Sequence, residues 1–278
     1  MSRESNIAVI RDTLRLCQEH PALAEAVRTS IAGQRYIPQS ADLIISAPAG
    51  PKGAKILVSP KRSYEAASGY RGKRVAVLNF ASAVSPGGGV LSGANAQEEA
   101  LCRISTLYPC LAIPEAADAF YIPHKQANNR LNTDDCIFTP GVVVFKTDDA
   151  NPQLLPESEW YTVDVITCAA PDLRLFGAFG NPTLPTERLH ALHTQRLRRI
   201  LDVAVANGAE VVILGAFGCG AFANDPQVVA KAMAAVTAEY RQRFDVIEYA
   251  VYCPPGRDEN FRAFCEAMQP MMGFPETE

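Results

Sequence analysis

Four stretches constrain the fold of this chain more than anything else in it: KRVAVLNFAS (73–82), YTVDVITCAA (161–170), AEVVILGAF (209–217) and DVIEYAVYC (245–253). Each is rich in β-branched residues and close to continuous in its apolar run, and several end in a loop containing Gly, Ser or Pro. A strand with one wet face alternates polar and apolar residues, whereas a near-continuous apolar strand is covered on both faces. Helical spacing fills the intervals, over 96–110, 184–207 (closed by Gly208), 225–243 and 258–268. The pattern predicts an α/β fold with helices on both faces of the sheet.

Weaker signals complete the layout. Residues 4–32 read as one or two helices, with Pro21 following a break. ADLII (41–45) and AKILV (54–58) read as short strands separated by a Pro/Gly turn. FTPGVVVFK (138–146) reads as a further strand, antiparallel or at an edge because Pro140 cannot donate to a ladder. No internal repeat, low-complexity tract or linker divides these elements. The expectation is one unit over 37–278 with an N-terminal helical extension over 1–36.

Composition removes several function classes. Of 278 residues, 48% are apolar, enough to bury a sizeable core, and the net charge of −4 argues against broad nucleic-acid or membrane affinity. The eight cysteines form no CxxC pair, and several fall inside apolar runs, which suits free thiols in a reducing compartment better than disulfides or zinc. His190 and His193 read as two residues of an exposed helix face. With no signal-peptide core and no membrane-spanning run, a soluble cytoplasmic protein is expected.

Ligands of open α/β sheets bind beyond the carboxyl ends of the strands. Two loops here follow strands: NFASAVSPGGGVLSGAN (79–95) and GAFGCGAFANDP (215–226). Neither is a Walker A loop, and GCGAFA ends in Ala where a dinucleotide fingerprint wants its last glycine. Taken singly, each is explained by a tight strand-to-helix turn. Gln97-Glu98-Glu99 opens the helix after the first loop. Asn95 fits an N-cap, with Glu98 completing a capping box, and Glu99 fits ordinary complementarity to the helix dipole. Their place after three glycines at a strand end, however, turns a carboxylate toward whatever the loop holds.

NFASAVSPGGGVLSGANAQEEALCRISTLY resembles the signature of the bacterial-type poly(ADP-ribose) glycohydrolases, a branch of the macrodomain superfamily: a glycine triplet, a spacer, then Gln-Glu-Glu. Gly87-Gly88-Gly89 and Gln97-Glu98-Glu99 satisfy it across seven residues. LGAFGCGAFANDP is similar to the family's diphosphate loop, and the resemblance spans roughly residues 5–268, by the order of the elements. One stretch departs from the family: where relatives often carry Asn near Pro171, this chain reads PDLRLF.

The resemblance implies a macrodomain-like mixed sheet and a substrate of ADP-ribose units joined by ribose–ribose O-glycosidic bonds, released as ADP-ribose mainly from chain ends. It implies no cofactor and no metal, and no partner beyond poly(ADP-ribose) or ADP-ribosylated macromolecules. Glu99 matches the catalytic residue: its acid form protonates the leaving oxygen, and its base form then activates water. A helix N-terminus favours the carboxylate instead, a conflict that bound diphosphate and expelled water would oppose. Glu98 holds a ribose hydroxyl. Gly87, Gly88 and Gly89 admit the backbone to the diphosphate and distal ribose, and Gly218, Cys219, Gly220 and Ala221 cradle the diphosphate, with Cys219 no nucleophile. Phe222 stacks beside the distal ribose or fills the core. Asn79 and Ser82 bind ribose hydroxyls or shape the turn, and Asn224 either contacts ligand or caps a helix. The polar stretch 121–135 is expected at the acceptor-side rim, and macrodomain pockets of pure binders or mono-ADP-ribosyl hydrolases are the alternatives.

Overall fold

The computed structural model describes residues 2–45, 53–176 and 183–272. Among them the strands are β1 (Arg35–Ile37), β2 (Lys55–Ser59), β3 (Val75–Phe80), β4 (Cys136–Val144), β5 (Tyr161–Cys168), β6 (Val211–Leu214) and β7 (Val246–Ala250). They form one mixed sheet in the order β1-β4-β5-β3-β6-β7-β2. From β5 to β2 the neighbours are parallel, while β4 runs antiparallel to both β1 and β5.

The helices are α1 (Arg3–Glu19), α2 (Pro21–Ala32), α3 (Ser63–Ala67), α4 (Gln97–Ile104), α5 (Leu107–Leu111), α6 (Pro114–Ala116), α7 (Ile122–Ala127), α8 (Thr186–Ala206), α9 (Pro226–Tyr240) and α10 (Glu259–Met268). Successive strand side chains point to opposite faces, and β3 displays this: Ala76 and Leu78 enter one core, Val75 and Val77 the other. The first core is closed by α8, α9 and α10, the second by α1, α3, α4 and α5. The strands expected to be covered on both faces are covered on both.

Local differences from the sequence reading have physical causes. ADLII forms no strand: Ala41, Leu43 and Ile45 lay apolar side chains on the core, but the backbone turns (Ala41 N to Pro38 O, 2.9 Å) and Arg199 takes the Ala41 carbonyl. The strand at 138–146 is antiparallel but internal, because Pro140 sits at a bulge where the register shifts between Thr139 and Val142. The helix expected over 96–110 breaks at Ser105, which bridges to Val144 while the Ile104 carbonyl accepts from Phe145 N and Lys146 N. His193 is fully buried, not exposed.

The site end of the sheet is braced by a buried cation. Arg196, on α8, donates from Nε to Asp134 Oδ1 (2.8 Å) and from Nη1 to the carbonyls of Leu131 (3.1 Å) and Ala169 (2.8 Å). It thus ties the stretch after α7 to the carboxyl end of β5. Arg196→Ala leaves the Asp134 charge buried without its partner and costs about 3–5 kcal/mol. Urea denaturation checks this; a loss below about 1 kcal/mol contradicts the bracing role.

Candidate active site

At the carboxyl ends of β3, β6 and β7 lies a cavity of about 500 Å³. Phe80 and Phe217, with ring centroids 5.5 Å apart, pack at its lining, and Gln97, Ala170, Gly218, Phe222 and Tyr252 are among its other walls. Gln97 knits three elements together there: Oε1 accepts from Phe80 N (2.9 Å), and Nε2 donates to Leu78 O (2.8 Å) and Ser63 Oγ (3.0 Å).

Glu98 and Glu99 do not line the cavity. They lie under the glycine turn beside it, 3% and 7% exposed. The helix begins one residue later than the sequence suggests, with Ala96 as N-cap, so the third helical residue is Glu99. Glu99 Oε2 accepts from Ala96 N (3.0 Å) and Oε1 from Gly89 N (2.9 Å). Asn95 caps nothing; its Oδ1 accepts from Arg103 Nη2 (2.6 Å). Glu98 is thereby free of capping and turns toward β3, accepting from Ser82 N (2.7 Å) and Asn79 Nδ2 (3.3 Å).

The triplet's purpose is visible at Gly88. Its φ is +57°, and a Cβ there would stand 2.6 Å from Glu99 Oε1 and 3.0 Å from Glu98 Oε2. Gly88 therefore clears space for the two carboxylates themselves, a closer constraint than the approach to ligand read from sequence. Gly87 abuts Tyr108, and Gly89 supplies the N–H on Glu99. Asn79 is fully buried behind Glu98, its Nδ2 shared with Thr167 Oγ1 (3.2 Å), and the Ser82 hydroxyl accepts from Val84 N and Ser85 N. Both side chains thus help to shape the turn and pack behind Glu98, while Asn79 Oδ1 has no hydrogen-bond partner among the described residues.

The second loop is pinned from within. Asn224 is not the cap of α9; Asp225 is, accepting from Gln227 N and Val228 N. Asn224 Nδ2 instead donates to the carbonyls of Pro171 (2.7 Å), Gly218 (3.1 Å) and Phe222 (3.1 Å). Three acceptors on the nitrogen fix the amide's orientation, so Oδ1 must accept from His193 Nε2 (2.8 Å). Burial, first of all, pushes His193 down to about 4, so it serves as a neutral donor. Gly218, at φ +82°, has no room for a Cβ beside Ala170 and Asn224. Cys219 N donates to Ala216 O, whereas the N–H groups of Gly220, Ala221 and Phe222 have no partner among the described residues, and all three residues line the cavity. Backbone donors grouped in this way suit an anion. Burial raises the Cys219 thiol far above its ordinary value, against any nucleophilic role.

The far end of the cavity was not read from sequence. Arg62 lies over the Tyr252 ring at 4.1 Å, and Asp148, Asn95 and Asn260 share that end. These residues come from separate stretches of the chain with no common motif. The stretch 121–135 lines none of the cavity; it forms α7 and then docks on the end of β5, Asn132 Nδ2 donating to Ala170 O (2.6 Å). Among the described residues no three His, Cys, Asp or Glu side chains gather as a metal site, and no helix is long and apolar enough to cross a membrane.

Burial drives Glu98 up to about 8 from 4.5; the Ser82 and Asn79 hydrogen bonds oppose this, and the Glu99 charge adds to it. The folded state therefore holds this proton more tightly than the unfolded chain. The associated stability is complete below about pH 4.5 and is lost as pH rises through about 8. Unfolding free energy measured by urea across this range should fall with pH more steeply in the wild type than in Glu98→Gln. Parallel profiles contradict the assignment.

Comparison with known proteins agrees with this geometry. Residues 7–147 match the family model for the microbial-type PARG catalytic domain. The poly(ADP-ribose) glycohydrolase of Thermomonospora curvata superposes with a TM-score of 0.84 at 31% identity, covering 95% of this chain and 99% of that one. Its complex with the inhibitor ADP-HPD gives 0.82 at 32% identity over the same shares. The Deinococcus radiodurans enzyme in complex with ADP-ribose gives 0.76 at 30% identity, covering 88% of this chain and 98% of that one. No curated protein sequence matches. With the glycine triplet, the Gln-Glu-Glu helix start and the second loop all placed at one end of the sheet, the chain belongs to the microbial-type PARG family.

Proposed function

We propose that this protein is a poly(ADP-ribose) glycohydrolase, hydrolysing ribose–ribose O-glycosidic bonds mainly at chain ends and releasing ADP-ribose. The observation that carries the reading is the pair of buried carboxylates under the glycine turn, beside a cavity lined by three residues whose backbone N–H groups have no partner among the described residues. The diphosphate sits on the N–H groups of Gly220, Ala221 and Phe222, and the adenosine lies toward Arg62 and Tyr252. The distal ribose then reaches the triplet, with Phe222 beside it.

Glu99 is the acid. Both of its oxygens accept backbone hydrogen bonds, and each keeps a second lone pair for a proton or a substrate oxygen. As the bond from the anomeric carbon to the leaving ribose oxygen breaks, Glu99 gives that oxygen its proton and an oxocarbenium-like ribose forms. The resulting carboxylate takes a proton from water as its oxygen attacks the anomeric carbon, which restores the acid. Adjacent helical residues are poorly placed to divide acid and base duties across a sugar ring, so one glutamate serves for both. Glu98, held neutral by burial at pH 7, is a hydrogen-bond donor to a ribose hydroxyl and adds no second charge beside Glu99. The eight free thiols suit the cytoplasm.

The route uses no metal ion. On size-defined poly(ADP-ribose), free ADP-ribose is the expected dominant early product, before and after EDTA treatment, with slow action on single protein-linked units. Early accumulation of oligomers contradicts cleavage from chain ends. Rapid clearance of mono-ADP-ribose moves the activity to that substrate, and binding of ADP-ribose without any release from polymer makes the protein a binder.

A further inference from the structure

Beside the cavity, at the end of β5, two arginines converge on one aspartate that the reaction described above does not use. Asp172 Oδ2 accepts from Arg130 Nη1 (3.1 Å) and Arg174 Nη2 (2.7 Å), and Oδ1 accepts from Arg174 Nε (2.8 Å). The carboxylate is 12% exposed, the two arginine side chains 44% and 57%. Two cations on one anion leave a net positive charge. Arg130 Nε and Nη2 and Arg174 Nη1 keep N–H donors that have no partner among the described residues. The cluster is fixed to the site: Asp172 N donates to Arg130 O (2.7 Å), and Leu173 N donates to the carbonyl of Phe222 (2.9 Å), a residue of the cavity wall. Asp172 and Arg174 both belong to the PDLRLF stretch, 171–176.

Strand order states which side of the cleft this is. The glutamates follow β3, and the loop that cradles the diphosphate follows β6, on one side of β3. Tyr252 and Arg62, at the far end, follow β7 and β2, further out on that same side. An ADP-ribosyl group laid along them presents its glycosidic oxygen to the other neighbour of β3, which is β5. The remainder of a polymer leaves across the end of β5, where Arg130 and Arg174 stand.

We propose that Arg130 and Arg174 form an acceptor-side subsite for the diphosphate of the next ADP-ribose unit, an inference that rests on the glycohydrolase reading. Guanidinium groups present paired donors that match phosphate oxygens. Asp172 holds the two like charges side by side and leaves their outer donors to the ligand. The contact acts on substrates whose leaving group carries a diphosphate, and it adds nothing to binding of the departing ADP-ribose.

Arg130 is the position to vary, because the Arg174 guanidinium also lies over the Phe222 ring at 5.4 Å. Two substrates separate the roles: poly(ADP-ribose), and an α-linked aryl glycoside of ADP-ribose whose leaving group has no phosphate. Arg130→Ala should lower kcat/KM on polymer about tenfold. Arg130→Glu should lower it further, and both variants should leave the aryl glycoside unaffected. The polymer rate of Arg130→Ala should also fall less steeply with salt than that of the wild type. Equal losses on both substrates, or no loss on polymer, overturn the subsite. A wild type that cleaves the aryl glycoside but not polymer overturns the polymer reading itself, a result distinct from any behaviour of the variants.

Discussion

Neighbouring residues of an α-helix point about 100° apart, so two adjacent glutamates in one first turn are sent to different partners. Glu99 turns back on the helix start and takes the N–H groups of Ala96 and Gly89. Glu98 turns into the end of β3 and takes Ser82 N and Asn79 Nδ2. Both partnerships require backbone within hydrogen-bond reach of a carboxylate, and only a residue without a Cβ fits between the two acids at Gly88. The carboxylates thus differ in environment although they are covalent neighbours. One is held by backbone donors at a helix start; the other is buried deeply enough to remain protonated at neutral pH. The rest of the site is arranged around that division.

The wall opposite is built on a similar economy of donors. A loop that cradles an anion must leave its own N–H groups unspent, which deprives it of the bonds that would hold its shape. Asn224 resolves this by binding two loop carbonyls, those of Gly218 and Phe222, and the Pro171 carbonyl after β5 with one side-chain nitrogen, while its amide oxygen accepts from His193 on α8. The same helix carries Arg196, which holds the end of β5 and the stretch after α7. One helix therefore supports the second loop and the end of β5 together.

Much of this was legible in the sequence, and what was not has identifiable reasons. The four apolar runs gave β3, β5, β6 and β7, because burial on both faces suppresses alternation and leaves a strong signal. Gly87–Gly89 and Gln97–Glu99 are close in sequence, so their association needed no knowledge of long-range packing. The register of the helix start did. Asn95 is the better cap by residue type, but Arg103 claims its side chain and Ala96 takes the position, which moves the capping role from Glu98 to Glu99. The burial of His193 is hidden for a related cause: a helix surface is the ordinary local explanation for it, and only its contact with Asn224 across 31 residues shows otherwise. Arg62 and Tyr252 lie 190 positions apart with no motif around either, so nothing in the chain announces their stacking.

The central claim is that Glu99 supplies the proton to the leaving oxygen while the cavity alone binds ADP-ribose. The most direct measurement sets calorimetric ADP-ribose binding beside single-turnover release from poly(ADP-ribose), for the wild type and Glu99→Gln. Gln keeps the size of the side chain but has no acid proton to give. The account predicts that release falls by at least about a thousandfold while Kd for ADP-ribose changes less than about fivefold. Substantial release by Glu99→Gln, or a loss of binding equal to the loss of turnover, would contradict it.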